Sequence, residues 1–269
     1  MIQDYRNREI PPNSFISADA RYLQMQQCLR LGIPHLGDVI GLYPGSLTLI
    51  QGDVPSSTVR TLTTQLTVSL LVNNPRVDLA FVDGANFFPY YEISVEARKR
   101  GLDPLRILDR IQLSRAFNYH QMTEIISKKL PQLVDTNPRI RIILVPQVSS
   151  LYLSKEALQY LEYDKLTPAS SILELTQAVG KLKGLCLQYD LVGIMTAESA
   201  PHSKHKALGG TFLSHSATDV IRVTATPNSN QKDHTLHFLV QKGGPVVQEK
   251  LSYKVKREER QQIPLTQFW

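Results

Sequence analysis

The segment Gly52-Asp53-Val54-Pro55-Ser56-Ser57-Thr58-Val59 joins a short apolar run, Ser46 to Gln51, to a stretch with apolar residues at Val59, Leu62, Leu66 and Leu70. In α/β proteins such a strand-to-helix junction is where phosphate is cradled. That chemistry needs glycines for close backbone approach, a lysine for the β- and γ-phosphates, and a hydroxyl for magnesium. Laid without gaps on G-x-x-x-x-G-K-[ST], the segment keeps only Gly52. Ser57 takes the second glycine position, Thr58 the lysine and Val59 the hydroxyl. Asp53 adds negative charge where a triphosphate would sit. Arg60 would have to replace the lysine from two places further along the helix, where a side chain points elsewhere.

A second chemistry is electrostatic. Within Ala197 to Ala207, Lys204 and Lys206 are suited to phosphate contacts, and His202 and His205 add charge at mildly acidic pH. The competing reading is a solvated basic loop. His202, His205 and His215 lack a carboxylate or cysteine to complete a metal site, so no metal and no other cofactor is expected. Cys28 and Cys186 are the only cysteines, which excludes zinc-ligand spacing and a disulfide framework.

These residues need a frame. Strands are expected at 46–51, 77–82, 111–113, 139–145 and 191–196, alternating with helices over 92–100, 120–130 and 170–188. The last helix carries Ile172, Leu175, Val179 and Leu182 on one face. Short apolar strands alternating with amphipathic helices predict an α/β fold: a largely parallel sheet covered on both faces. After residue 210 the pattern becomes successive strands, 219–225, 235–241 and 249–255, which predicts an antiparallel extension. Residues 1–20 read as an arm, 21–255 as the core and 256–269 as a tail.

The 269 residues, 42% of them hydrophobic and 20% charged, are enough to bury a sizeable core without staples. No apolar run is long enough to span a membrane, and Met1 to Asn13 is too polar for a secretory signal. The expected setting is cytoplasmic and nucleoid-associated. The net charge of +6 mildly favours a polyanionic partner.

Several stretches resemble the RecA/RadA recombinase superfamily, its RadA branch in particular. Leu31 to Gly52 is similar to the segment leading into that family's phosphate loop. Gly101-Leu102-Asp103-Pro104 with Leu108, Asp109 and Ile111 follows its G-L-D-P…L-D-x-I pattern. Arg115-Ala116-Phe117-Asn118 with His120-Gln121-Met122 resembles R-A-x-N-x-x-H-Q, one residue shorter. Gly209-Gly210 resembles the segment after its second DNA-binding loop, which places 197–207 at that loop. The resemblance covers about residues 15–255 and does not extend to the family's small N-terminal helical domain. It implies a RecA-like P-loop NTPase fold.

The departures fall on catalysis. Pro146-Gln147 stands where an acidic residue would hold magnesium. Asp83-Gly84-Ala85-Asn86 has no carboxylate at the position that orients the attacking water. Thr196-Ala197-Glu198 replaces Thr-Asn-Gln. The expectation is no ATPase activity.

Two peptide motifs remain. Phe15-Ile16-Ser17-Ala18 fits F-x-x-A, which in the RadA family plugs an aromatic anchor and a small residue into a neighbouring subunit. Gln262, Leu265, Phe268 and Trp269 fit Q-x-x-h-x-x-a-a, the peptide that docks on the PCNA sliding clamp. There Gln262 hydrogen-bonds in a small polar pocket, and the other three form an apolar plug on one helical turn. Together the motifs imply a non-catalytic adaptor in DNA recombination, repair or replication, with PCNA, a RadA recombinase and single-stranded DNA as partners. The other readings are a structural subunit of an Elongator-like RecA-fold assembly, and a cryptic NTPase using Arg60.

Overall fold

Strand β1 (Ser46–Asp53) is buried up to its last residue because it runs through the middle of a sheet. The computed structural model describes residues 17–19, 22, 28–29, 41–54, 56–153, 168–200, 203–227, 234–242 and 250–255. Helix α1 (Ser56–Asn73) follows β1, then β2 (Asp78–Asp83), α2 (Tyr90–Lys99), α3 (Pro104–Leu108) and β3 (Ile111–Arg115). Next come α4 (Tyr119–Glu124), a π-helical turn (Ile125–Lys129), α5 (Leu130–Thr136), β4 (Ile140–Val145), α6 (Ser150–Leu153) and α7 (Pro168–Tyr189). The last elements are β5 (Val192–Ala200), β6 (Ser203–Ala207), α8 (Thr211–Ser216), β7 (Asp219–Pro227), β8 (His234–Lys242) and β9 (Lys250–Val255).

The sheet order is β3-β2-β4-β5-β1-β7-β8-β9, with β6 hydrogen-bonded to β5 alone. Pairings from β3 through β7 are parallel; β7–β8 and β8–β9 are antiparallel. The fold is therefore α/β, with a mostly parallel mixed sheet, helices on both faces and an antiparallel extension. Alternation along β1 divides the core. Leu47 and Leu49 face a layer formed by α4, α5, α7 and α8, while Ile50 faces a layer formed by α1, α2 and α3. Full burial of each such leucine contributes about 1.5–3 kcal/mol.

Helix α7 buries Ser171, Leu175, Ala178, Val179, Leu182, Leu185 and Cys186. Ile172, expected on this face, is 44% exposed; the stripe starts one residue earlier, at Ser171. The helix expected over 120–130 continues to Thr136 through the π turn, which ends just ahead of Pro131. A proline lacks the N–H that a regular α-helical ladder requires, and the wider turn accommodates that loss.

The stretches that resemble RadA act here as punctuation. Gly101, at φ 70°, ends α2 in the left-handed region that favours glycine. Asp103 caps α3 by accepting from the Leu105 N–H, and Pro104 opens the helix. Asn118 caps α4 through the Gln121 N–H at 2.8 Å, and the Gln121 side chain accepts in return from the Phe117 N–H at 2.8 Å.

Candidate functional site

Strands β1 and β5 are parallel neighbours, yet β1 leads into α1 on one face and β5 leads toward α8 on the other. A crevice outside the carboxyl ends of two such strands is where open α/β sheets bind ligands. Its lining includes Gly52, Val54, Val59, Gln147, Thr196 and Glu198. The cavity is about 20 Å³, room for about one water molecule.

The segment 52–59, compared above with a phosphate loop, lines part of that crevice. Gly52 is a strand residue of β1, in register with Glu198 on β5 and Val223 on β7. A Cβ on it would collide with the Val223 carbonyl oxygen, so backbone approach between strands demands glycine here without any phosphate. Only Val54 and Pro55 separate β1 from α1. Ser57 lies in the first turn of α1. Thr58 and Val59, at the lysine and hydroxyl positions, are 4% and 8% exposed and belong to the buried side of that helix. Glu198, exposed, lines the crevice and repels an anion there, and Asp53 is exposed at the end of β1.

Arg60 is committed elsewhere. Its Nε donates to Glu92 Oε1 at 2.7 Å, and its guanidinium lies 5.6 Å from the centre of the Phe87 ring. It points to α2, which takes from the cryptic-NTPase reading the cation that it requires.

The other departures from the RadA pattern also have structural employment. Gln147 sits at φ 48°, outside the usual range for a non-glycine residue. Its N–H donates to Thr196 Oγ1 at 2.8 Å, and its side-chain amide approaches Glu198 Oε1 at 3.4 Å. The Val148 N–H donates to the Thr196 carbonyl at 2.9 Å. Pro146-Gln147 and Thr196-Ala197-Glu198 thus tie the ends of β4 and β5 to each other. Asp83, fully buried, accepts from the N–H groups of Ala85, Phe87 and Phe88 and pairs with Arg115. Its lone pairs are taken up by its own loop and by Arg115 at the end of β3.

The segment expected as a DNA-binding loop is a β-hairpin. Strand β5 extends to Ala200 and β6 returns beside it, with Ser199 opposite Ala207. Lys204 and His205 lie within β6, Lys206 is exposed, and His202 lies outside the described residues. Gly209 and Gly210, both at positive φ, turn the chain from β6 into α8. Ala18 is helical and exposed; Phe15 lies outside the described residues. So do Gln262, Leu265, Phe268 and Trp269. Among the described residues no His, Cys, Asp and Glu side chains cluster as metal ligands, and no helix is long and apolar enough to cross a membrane.

Sequence reasoning missed the capping role of Asp83 and the strand β6. An Asp-Gly pair ending an apolar run signals the first. Nothing in Ser203-Lys204-His205-Lys206-Ala207 signals the second. No known family model matches the chain.

Proposed function

We propose that this chain is a RadA-like paralogue with a RecA-like core that neither uses nor needs ATP and serves as an adaptor in DNA recombination, repair or replication. The observation that carries the reading is the crevice: at the place where a RecA-like core would take its nucleotide, the space amounts to about 20 Å³. The parallel block with its antiparallel extension supports the same core. The motifs shared with RadA are the ones that cap helices and turn the chain, whereas the positions that hold phosphate and magnesium carry other residues.

Residues 262–269 would tether the adaptor to the PCNA clamp, Phe15 and Ala18 would dock it on a RadA-type recombinase, and the β5–β6 hairpin would touch single-stranded DNA. Calorimetry of the full chain with magnesium and ATP tests the inactive core. The expected result is no saturable heat up to about 1 mM nucleotide, near −4 kcal/mol. The same holds for Thr58→Lys, since no carboxylate is restored with the lysine. Micromolar affinity with magnesium-dependent turnover would overturn the reading.

A further inference from the structure

Helix α7 turns one face to the core and leaves the opposite face bare. At about 100° per residue, Leu173, Thr176, Gly180, Gly184 and Leu187 fall within about 40° of one line along its outer side. Leu173 and Leu187 are 58% and 53% exposed. Gly180 and Gly184 are exposed, and a Cβ built on either would meet nothing within 4 Å. Neither has a positive φ. The fold of one chain thus asks for glycine at neither place, although each costs the helix roughly fivefold in stability relative to alanine. The Thr176 hydroxyl donates to the Ile172 carbonyl at 2.8 Å, so this residue presents no unmet polar group.

The order of these residues reads alike from both ends. Steps of three, four, four and three residues separate Leu173, Thr176, Gly180, Gly184 and Leu187. Run antiparallel against itself about Gly180, the stripe sets glycine on glycine at the centre. Thr176 then meets the second copy's Gly184, and Leu173 meets the second copy's Leu187. That reciprocity is what a two-fold interface between identical chains requires. Small residues at the crossing let two helix backbones approach closely, and splaying from that point leaves room for the leucine pairs at the ends. An unrelated partner would have no need of this symmetry.

We propose that the outer face of α7 is a self-association surface, occupied by the same face of a second copy of this chain in antiparallel orientation. The area sets the strength. A 22-residue helix is about 33 Å long and about 10 Å wide, so the pair buries about 700 Å² in all, below the roughly 1,200 Å² of a stable complex. Lys181 and Lys183 border the stripe on its two sides, so pairing brings like charges together. The association is therefore weak and reversible, with a dissociation constant on the order of 100 μM, and salt strengthens it. The inference does not depend on the partners proposed above.

Sedimentation equilibrium of the full chain up to about 300 μM, in about 0.5 M salt, tests the surface. The mass of the native sequence should rise with concentration toward twice that of the monomer. Gly180→Leu should weaken association roughly tenfold or more and raise the denaturant midpoint, because leucine is the better helix former and meets nothing in the single chain. Leu187→Lys, at an exposed position, should also weaken association. Cys28→Ser removes the exposed native cysteine and gives a background for cross-linking. In it, Gly180→Cys should oxidise to a disulfide-linked dimer, whereas Gly184→Cys, about 12 Å from its own copy, should not. A chain that stays monomeric to about 300 μM would overturn the proposal, as would association indifferent to both Gly180→Leu and Leu187→Lys, or equal cross-linking at 180 and 184. A midpoint lowered by Gly180→Leu would overturn it as well, since the glycine would then be required within one chain.

Discussion

The Arg115 Nε lies 3.3 Å from Asp83 Oδ2, and this pair joins the carboxyl ends of β2 and β3. Asp83 is fully buried, while Arg115 reaches solvent. The carboxylate also collects backbone N–H groups from the loop that follows it, at 2.7 Å from Phe87 and 3.0 Å from Phe88. In a phosphoryl-transfer enzyme the end of such a strand positions water or metal. Here the charge is consumed in holding its own loop, and the loop in turn presents Phe87 to Arg60.

Asp83→Ala should therefore cost about 3 kcal/mol or more. It strands several buried N–H groups and removes the partner of Arg115. Arg115→Ala should cost less, because the N–H groups still neutralise part of the buried charge. Urea unfolding of the two variants checks the order; an equal or reversed cost would show that the loop is held from elsewhere.

Much of this frame was legible and part of the site was not, for physical reasons. The buried strands β1, β2, β4 and β5 announce themselves as apolar runs because both faces are covered. Strand β6 does not, since it pairs with β5 alone and its residues need no apolar alternation. Ile172 misled because its spacing fits the α7 stripe equally well; which turn touches the sheet is decided by packing. That Thr58 and Val59 stand at the lysine and hydroxyl positions of the phosphate-loop pattern is plain in the sequence. The fate of Arg60 is not, because its partner Glu92 is 32 residues away. Likewise nothing in the residue type of Gln147 signals its positive φ.

The β5–β6 hairpin should bind single-stranded DNA weakly and without sequence preference. Lys206 is exposed and Lys204 lies two residues before it in the same strand. Neutralising phosphates releases counterions, so affinity should fall steeply with salt. Lys204→Ala combined with Lys206→Ala should reduce low-salt binding and flatten the salt slope by about 1 to 2. Unchanged affinity in fluorescence anisotropy would exclude the hairpin.

The pH dependence of stability has a defined sign at Asp219. Its folded-state value is raised from 3.8 to about 6, so between these values the folded chain holds more protons than the unfolded one. The contribution to stability is full below pH 4 and is lost as pH rises toward 6. The loss is on the order of 2–3 kcal/mol. Asp219→Asn should remove this fall and leave the protein more stable than the native sequence at pH 7. Denaturant midpoints at pH 4.5 and 7 give the answer; a native sequence that gains stability over this interval relative to the variant contradicts it.

Docking through Phe15 and Ala18 makes a separable demand. Truncating a buried aromatic anchor commonly costs about 2 kcal/mol or more, near 30-fold in affinity. Phe15→Ala should abolish co-purification with a RadA-type recombinase and leave the thermal midpoint nearly intact. A large drop in the midpoint would place Phe15 in this protein's own core instead.

The clamp contact should reside wholly in residues 262–269. All four anchors, Gln262, Leu265, Phe268 and Trp269, fall within those eight residues, so a synthetic peptide should suffice. Residues 268 and 269 supply the largest apolar area, and 265 shares their face when the segment forms one helical turn. Ordering that turn costs conformational entropy, which places the expected affinity in the micromolar range, about −8 kcal/mol. Phe268→Ala with Trp269→Ala should remove most of it, while Gln262→Ala should cost about 1 kcal/mol, the worth of one hydrogen bond. The described sheet ends with β9 at Val255, so deleting the peptide should leave the thermal midpoint of the core unchanged. Titration of purified PCNA decides the matter. Saturable micromolar binding that depends on the two aromatic residues sustains the adaptor reading, and no saturation up to about 1 mM removes the clamp from it.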